Sequence, residues 1–272
     1  DDGSNIILTE KTIIALISDK GTGDATSVFD YNAITNESQL TITDGINGSI
    51  FTGLTLVQDN RFESAETIAL SLTVNGASNA SAGSDAQTTA TITINEDNAD
   101  VPQIEFYSSD GSAASDEEDV NEVVGSFDVT FGISNNVITD RDIVIDYSID
   151  LVNSTATIDD NETGFLAATN NSYPSDFRGW TGIIASNWNA NRTLKGQITM
   201  SADLVRAVTP PQLVSFTIPI NPGDGVDEND NETILLSLDA VALGTLGTEQ
   251  SFTIKIDDNT ADVPVNVQFA AS

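Results

Sequence analysis

The sequence lacks cysteine and histidine altogether, and it holds only 9 basic residues against 42 acidic ones. Without these side chains there are no thiolate or imidazole metal ligands, no cysteine nucleophile and no Ser-His-Asp triad. The formal charge of −33 repels nucleic acid and anionic membranes and attracts cations. No apolar run approaches the roughly 18 residues that a transmembrane helix needs. We therefore expect no nucleic-acid partner and no direct membrane insertion.

What the sequence has in abundance is Ser, Thr, Asn and Gly, together with short β-branched runs. An apolar content of 39% suits many short strands joined by polar turns. No segment shows helical periodicity with caps, so the sequence predicts an all-β fold. An acidic loop is expected at Asp116–Glu122, and strands are expected over Asn5–Ser18, Gln39–Thr43, Ile50–Val57, Thr67–Val74, Thr88–Ile94, Gln103–Tyr107, Val123–Ile133 and Asp142–Ile149.

Two stretches of the chain repeat each other. Gln58–Leu72 reads Q-D-N-R-F-E-S-A-E-T-I-A-L-S-L, and Gly223–Leu238 reads G-D-G-V-D-E-N-D-N-E-T-I-L-L-S-L. Each is followed by a Thr/Ile strand, an acidic cluster and Ala-Asp-Val-Pro, at Thr91–Pro102 and at Phe252–Pro264. An internal repeat of this kind predicts two units, residues 1–100 and 101–263, joined through Pro102.

The two units do not begin and end alike. Val144–Ile149 in the second unit matches Ile13–Ser18 in the first, but only 12 residues precede Ile13. The first unit is therefore expected to lack its N-terminal strand or strands. Residues 264–272, with Val265–Phe269, repeat the opening of a unit and then stop. They are expected to begin a further repeat of a longer array, or to donate a strand to another copy.

A segment at about 165–215 is interpreted as an insertion into the second unit. It holds both tryptophans and three of the five arginines. Aromatic and arginine side chains together suit a contact with sugar or protein. The alternative is that the tryptophans only pack the segment against the rest of the unit and bind nothing. The candidate ligand contacts are Trp180, Trp188, Arg178 and Arg192.

Carboxylates crowd at the ends of the predicted strands. Calcium takes six to eight oxygen ligands, and the second repeat offers Asp224, Asp227, Glu228, Asp230 and Glu232, with Asp257 and Asp258 after the last strand. Only some can point inward, because neighbours in a strand alternate, and no EF-hand pattern fits. A solvated acidic turn is the alternative. Repulsion among so many carboxylates favours a bound cation.

The repeated motifs, together with G-D-A-T-S-V-F-D-Y at Gly23–Tyr31, resemble the Calx-β module. The resemblance extends over about residues 5–98 and 101–263. It implies two tandem immunoglobulin-like β-sandwiches, each with seven strands when complete. Modules of this family serve as calcium sensors in sodium–calcium exchangers, and they form tandem arrays on large bacterial surface and adhesion proteins.

The resemblance also implies Ca²⁺ ligands. In the first unit the matching positions are Asp30, Asp59, Glu63, Glu66, Glu96 and Asp97. In the second unit they are Glu122, Asp160, Asp224, Glu228, Glu232, Asp257 and Asp258. At the joint, Asp100 is expected to share the cation of the first unit. The family's Glu-x-x-Glu is Glu63–Glu66 here, whereas Glu228 and Glu232 lie one residue further apart.

These features predict a structural or adhesive calcium-binding segment of a large extracellular or cell-surface bacterial protein, with a filament-like form. A calcium-sensing regulatory module and a carbohydrate-binding module that uses the inserted loop are the alternatives. An enzyme is not expected, since the acidic residues recur with the repeat as structural features do. The expected partners are neighbouring repeats, further copies of the chain, or a surface glycan or protein. The Asp-Asp-Gly opening suggests a processed chain or a piece of a longer one.

Overall fold

The computed structural model describes residues 13–21, 23–26, 29–32, 34, 38–42, 54–74, 88–96, 98–156, 193–203, 208–221 and 232–257. The predictions for the opening of the first unit and for residues 264–272 lie outside these ranges. The chain divides into two compact units, Asp1–Asp97 and Asn98–Ser272. No helix among the described residues is long and apolar enough to cross a membrane.

The first unit contains one four-stranded sheet in its described part. The strands of this unit are β1 (Ile13–Asp19), β2 (Ser38–Ile42), β3 (Arg61–Phe62), β4 (Glu66–Val74) and β5 (Thr89–Ile94). The sheet order is β2-β1-β4-β5, and all neighbours are antiparallel. Alternation along β4 turns Ile68 and Leu70 inward, where they pack with Ile17 and Tyr31 to form the core of this unit.

The second unit contains two sheets. Its strands are β6 (Gln103–Tyr107), β7 (Glu117–Asn121), β8 (Ser126–Ile133), β9 (Ile138–Thr139), β10 (Ile143–Asp150), β11 (Thr193–Met200), β12 (Leu213–Pro219), β13 (Glu232–Ala242), β14 (Thr245–Leu246) and β15 (Ser251–Asp257). A 3-10 helix covers Glu122–Val124. One sheet has the order β11-β10-β13-β15-β7, and the other has the order β12-β8-β6-β14.

Aromatic rings pack the two sheets of the second unit together. Phe106 of β6 stacks on Phe252 of β15 with ring centroids 5.4 Å apart. Phe131 of β8 lies 5.8 Å from Tyr147 of β10, which also stacks on Phe216 of β12 at 4.5 Å. Four of these rings are almost fully buried, and Phe216 is half-buried. The contacts make the second unit a β-sandwich, and the predicted all-β fold is confirmed.

The prediction of an acidic loop at Asp116–Glu122 is wrong. Glu117–Asn121 is the edge strand β7, which pairs in parallel with β15. Its Val120 is buried, whereas Glu117 is exposed and forms an ion pair of 2.9 Å with Lys255. Glu117 and Asp119 therefore occupy the solvent side of an edge strand, where charge is tolerated and discourages pairing with other chains.

Of the predicted insertion at about 165–215, the structure describes residues 193–203 and 208–215. Strand β11 pairs with β10, just as β2 pairs with β1 in the first unit. The described part beyond residue 192 is thus regular sandwich. The prediction rested on the greater length of the chain ahead of the second motif, and β11 (T-L-K-G-Q-I-T-M) holds a place equivalent to that of β2 (S-Q-L-T-I).

The repeated motifs pair in the same register in both units. Glu66 pairs with Ile94 in the first unit, and Glu232 pairs with Ile256 in the second. The expected match of Val144–Ile149 with Ile13–Ser18 holds at its start and then shifts by one residue. A β-bulge between Asp146 and Tyr147 causes the shift, so that Ser148 rather than Ile149 takes the place of Ser18.

Candidate metal centre

A short backbone pairing positions the first acidic residue of the site. Tyr31 forms an isolated antiparallel bridge with Leu56. The Val57 amide donates to the Asp30 carbonyl at 3.0 Å, and the Asn32 amide donates to the Thr55 carbonyl at 2.8 Å. The expected strand over Ile50–Val57 is therefore, in its described part, limited to this bridge. The bridge brings Asp30 beside the chain that continues towards Glu63 and Glu66.

Three of the predicted ligands converge. Carboxylate oxygens of Asp30, Glu63 and Glu66 all lie within 4.8 Å of one another. Asp30 is only 6% exposed, and the two glutamates are half-buried. Within the described ranges, this is the one group of at least three such side chains that could hold a metal ion. The site combines the loop that ends at Asp30 with the start of β4.

Two further predicted ligands support this group through hydrogen bonds. A carboxylate oxygen of Glu96 accepts a hydrogen bond from the Glu63 amide, which ties the end of β5 to the site. Asp59 Oδ1 accepts a hydrogen bond of 3.2 Å from the Arg61 amide and so shapes the turn ahead of Glu63. The backbone thus places Glu96 at the site, whereas Asp59 acts on the turn.

The Asp30 carboxylate is oriented by its own loop. Its Oδ2 accepts a hydrogen bond from the Thr26 amide, and the Asp30 amide donates to the Thr26 carbonyl at 2.9 Å. This reciprocal pair closes the loop between Thr26 and Asp30. A carboxylate held in this way loses little conformational freedom when it binds a ligand.

The donor set fits a hard divalent cation. All three converging groups are carboxylates, and hard cations such as Ca²⁺ and Mg²⁺ prefer oxygen ligands. Two unit charges 4.8 Å apart repel by about 3.5 kcal/mol at an effective dielectric constant of about 20, before solvent and salt screen the half-buried glutamates. A bound cation would turn this repulsion into attraction. Further ligands would come from water or backbone carbonyls.

A buried tyrosine couples the site to the core. Tyr31 is 2% exposed, and its hydroxyl donates a hydrogen bond to Asp19 Oδ2 at the end of β1. Burial, reinforced by the hydrogen bond with Asp19, raises the pKa of Tyr31 to about 12. Asp19 Oδ1 also accepts from the Gly21 amide at 2.7 Å. Sequence reasoning missed Asp19, since its position before a turn indicates nothing about a partner 12 residues away.

In the second unit, strand pairing places three predicted ligands at one end of the five-stranded sheet. Asp257 ends β15 beside Asn121, and Glu122 follows directly in the 3-10 helix. Glu232 begins β13 opposite Ile256. Glu122 is only 7% exposed, while Glu232 and Asp257 are half-buried. The structure brings these residues to one edge without joining them into a group of the kind seen in the first unit.

The remaining predicted residues cannot be placed in a described site. Asp100 is described and buried, at 6% exposure, and it belongs to the second compact unit. The others lie outside the described residues: the acidic positions Asp97, Asp160, Asp224, Asp227, Glu228 and Asp258, and the proposed ligand contacts Trp180, Trp188, Arg178 and Arg192. Their roles stay predictions.

Comparison with known proteins yields structural similarity only. No family model matches the sequence, and no curated protein matches it. The chain is similar to the crystal structure of CBD12 from CALX1.2, with 13% identity, a TM-score of 0.36, and coverage of 90% of this chain and 87% of that one. The calcium binding domain CBD12 of CALX1.1 gives 12% identity, a TM-score of 0.36, and coverage of 90% and 86%. The apo-form Calx CBD1 domain gives 17% identity, a TM-score of 0.34, and coverage of 58% and 98%. Values this low establish neither a family nor a function.

Proposed function

We propose that the first unit binds Ca²⁺ and that the ion stabilises its fold. The convergence of Asp30, Glu63 and Glu66 within 4.8 Å carries this proposal. Folding brings these carboxylates together from the loop that ends at Asp30 and the chain at the start of β4, so a cation that binds only the folded state adds stability by mass action. Glu96 belongs to the same site through its hydrogen bond with Glu63.

Calcium binding is tested by calorimetric titration of the full chain. We expect saturable binding, and we expect Glu63→Gln combined with Glu66→Gln to remove one class of sites. Asp24→Asn is the matched control, since Asp24 is an exposed acid of the same unit whose contact, at 3.4 Å, is with Thr67 Oγ1. Titration curves that are identical for the wild type and the double variant would overturn the proposal.

We propose further that the chain is a structural or adhesive segment of an extracellular or cell-surface protein. The acidic residues support this role, because Glu66 and Glu232 hold equivalent places in the two units, as scaffold ligands do. A structural role outside the cell calls for a weak site that is filled at the calcium concentrations found there. Extracellular modules bind calcium with dissociation constants of about 10⁻⁴–10⁻³ M, and sensors with about 10⁻⁷–10⁻⁵ M.

The dissociation constant therefore separates the two roles. A value in the extracellular range supports the structural role. A value in the sensor range, together with a large calcium-dependent change of conformation, would instead support a regulatory module. The two results also differ in solution scattering, because a structural segment changes its dimensions little once it is folded.

A further inference from the structure

Strand β5 lies at the edge of its sheet. Its one strand neighbour within the described part of the chain is β4. Along Ala90–Ile94 the side away from β4 pairs with no described strand. An edge of this kind presents backbone amide and carbonyl groups that can pair with an additional strand.

The second unit shows what the fold accommodates at this position. β15 pairs with β13 in the same register in which β5 pairs with β4, so Ile256 corresponds to Ile94. The other side of β15 is covered by β7, which runs parallel to it over Thr253–Asp257. By the same register, a parallel strand on β5 would lie along Thr91–Asn95.

The inward face of β5 packs against the core of the first unit but is less buried than its counterpart in the second unit. Ile92 and Ile94 are half-buried, whereas their counterparts Ile254 and Ile256 are 0% and 4% exposed. An added strand would supply both backbone partners and apolar side chains to this face. The incomplete burial is what an edge without a neighbouring strand produces, and an added strand would reduce it.

The lack of charged residues on the β5 edge indicates which kind of strand could pair with it. β5 reads T-A-T-I-T-I and has no charged residue, although the chain as a whole has a formal net charge of −33. Thr93 stands where the second unit has Lys255, the ion-pair partner of Glu117 in β7. An acidic strand like β7 would therefore find no cation on β5. The edge suits an uncharged strand with alternating apolar and polar residues.

A segment outside the described residues has this pattern. Val265–Phe269 reads V-N-V-Q-F, with apolar residues at every second position and no charge. It lies beyond the described residues, towards the end of the sequence. We propose that the edge of β5 binds residues 265–269 of a second copy of the chain, as a parallel strand. The valines and Phe269 would then cover Ile92 and Ile94.

This contact is heterologous, because two different surfaces meet: residues 265–269 of one molecule and the β5 edge of the next. Heterologous contacts that do not close a ring produce open chains of molecules. The proposal predicts head-to-tail association that depends on protein concentration. It goes beyond the calcium site and does not require it, so either can fail without the other.

The absence of cysteine permits a direct test by disulfide cross-linking of the full chain. Asn266→Cys protein is mixed with Thr91→Cys or with Thr93→Cys protein under mild oxidation. In β5 both threonines are exposed, so cysteine is tolerated there. We expect mixed dimers with at least one of them. Asn266→Cys mixed with Thr217→Cys is the control, because Thr217 is exposed on β12 of the second unit and should give none.

A synthetic peptide of residues 263–272 should suppress the mixed dimer and dissociate wild-type oligomers in sedimentation velocity. The variant Val267→Lys should abolish association, whereas Ala271→Lys, beyond the proposed strand, should not.

Three results would overturn the proposal. They are a wild-type chain that stays monomeric at every concentration, cross-linking that is equal with Thr217→Cys, and Thr91→Cys dimers that form without any Asn266→Cys partner. The last result would indicate symmetric pairing of two β5 edges instead.

Discussion

Replacing Glu66 by glutamine should change the stability of the first unit in opposite directions with and without calcium. Glu66 contributes two of the three repulsive pairs in the group with Asp30 and Glu63. The unscreened repulsion is about 3.5 kcal/mol per pair at an effective dielectric constant of about 20. Because Glu63 and Glu66 are half-buried, solvent reduces the net effect to about 1 kcal/mol in all. In EDTA, the Glu66→Gln variant should therefore unfold at a higher temperature than the wild type.

Calcium reverses the order. At a calcium concentration about 100 times the dissociation constant, the wild type gains about 2.7 kcal/mol. The variant gains much less, since an amide oxygen replaces a charged ligand. For a domain of this size, 1 kcal/mol corresponds to about 4–8 °C in Tm. Glu66→Gln should then melt a few degrees above the wild type in EDTA and several degrees below it in saturating calcium.

Differential scanning calorimetry of the full chain measures both conditions. Asp24→Asn is the control, and its curves should follow those of the wild type in EDTA and in calcium alike. If Glu66→Gln lowers the Tm equally in both buffers, Glu66 is a structural residue and the reasoning from like-charge repulsion is refuted. If the variant has no effect in either buffer, the carboxylates do not interact at all.

Two further predictions concern the cores. Because the pKa of Tyr31 is raised above its ordinary value of 10 to about 12, stability that is full below pH 10 should fall as the pH rises towards 12. Tyr31→Phe should remove that part of the pH dependence in chemical denaturation series. A Cβ at Gly196 would lie 2.2 Å from Tyr147 Cζ, so Gly196→Ala should cost about 1–3 kcal/mol of the second unit's stability, measured by urea unfolding. Ser237→Ala, at an exposed position of β13 in the same sheet, is its control and should change stability little.

The strands could be predicted because their signals are local. β-branched alternation in E-T-I-A-L-S-L and E-T-I-L-L-S-L specifies strand and inward face directly, and β4 and β13 follow it. The bulge between Asp146 and Tyr147 could not be predicted, since it arises from pairing between distant strands. The assignment of β7 failed for a related reason. Its acidic residues are typical of a loop, and only the parallel partner β15 makes the segment a strand.

The candidate site was predicted in its composition and not in its geometry. Asp30, Glu63 and Glu66 stand in motifs that the sequence shows, and they meet in space. Asp59 stands in the same motif, yet it shapes the turn before Arg61. Sequence spacing does not reveal which carboxylate faces a common point, because that depends on the bridge between Tyr31 and Leu56 and on the loop closed at Thr26.

The most direct test of the central claim is an anomalous difference map from crystals grown with calcium. The account predicts a peak between the carboxylates of Asp30, Glu63 and Glu66, with oxygen atoms at about 2.3–2.6 Å. The peak should be lost in crystals of the Glu63→Gln, Glu66→Gln double variant grown under the same conditions. A wild-type map with no peak at these three side chains, at calcium concentrations that saturate the calorimetric titration, would contradict the account.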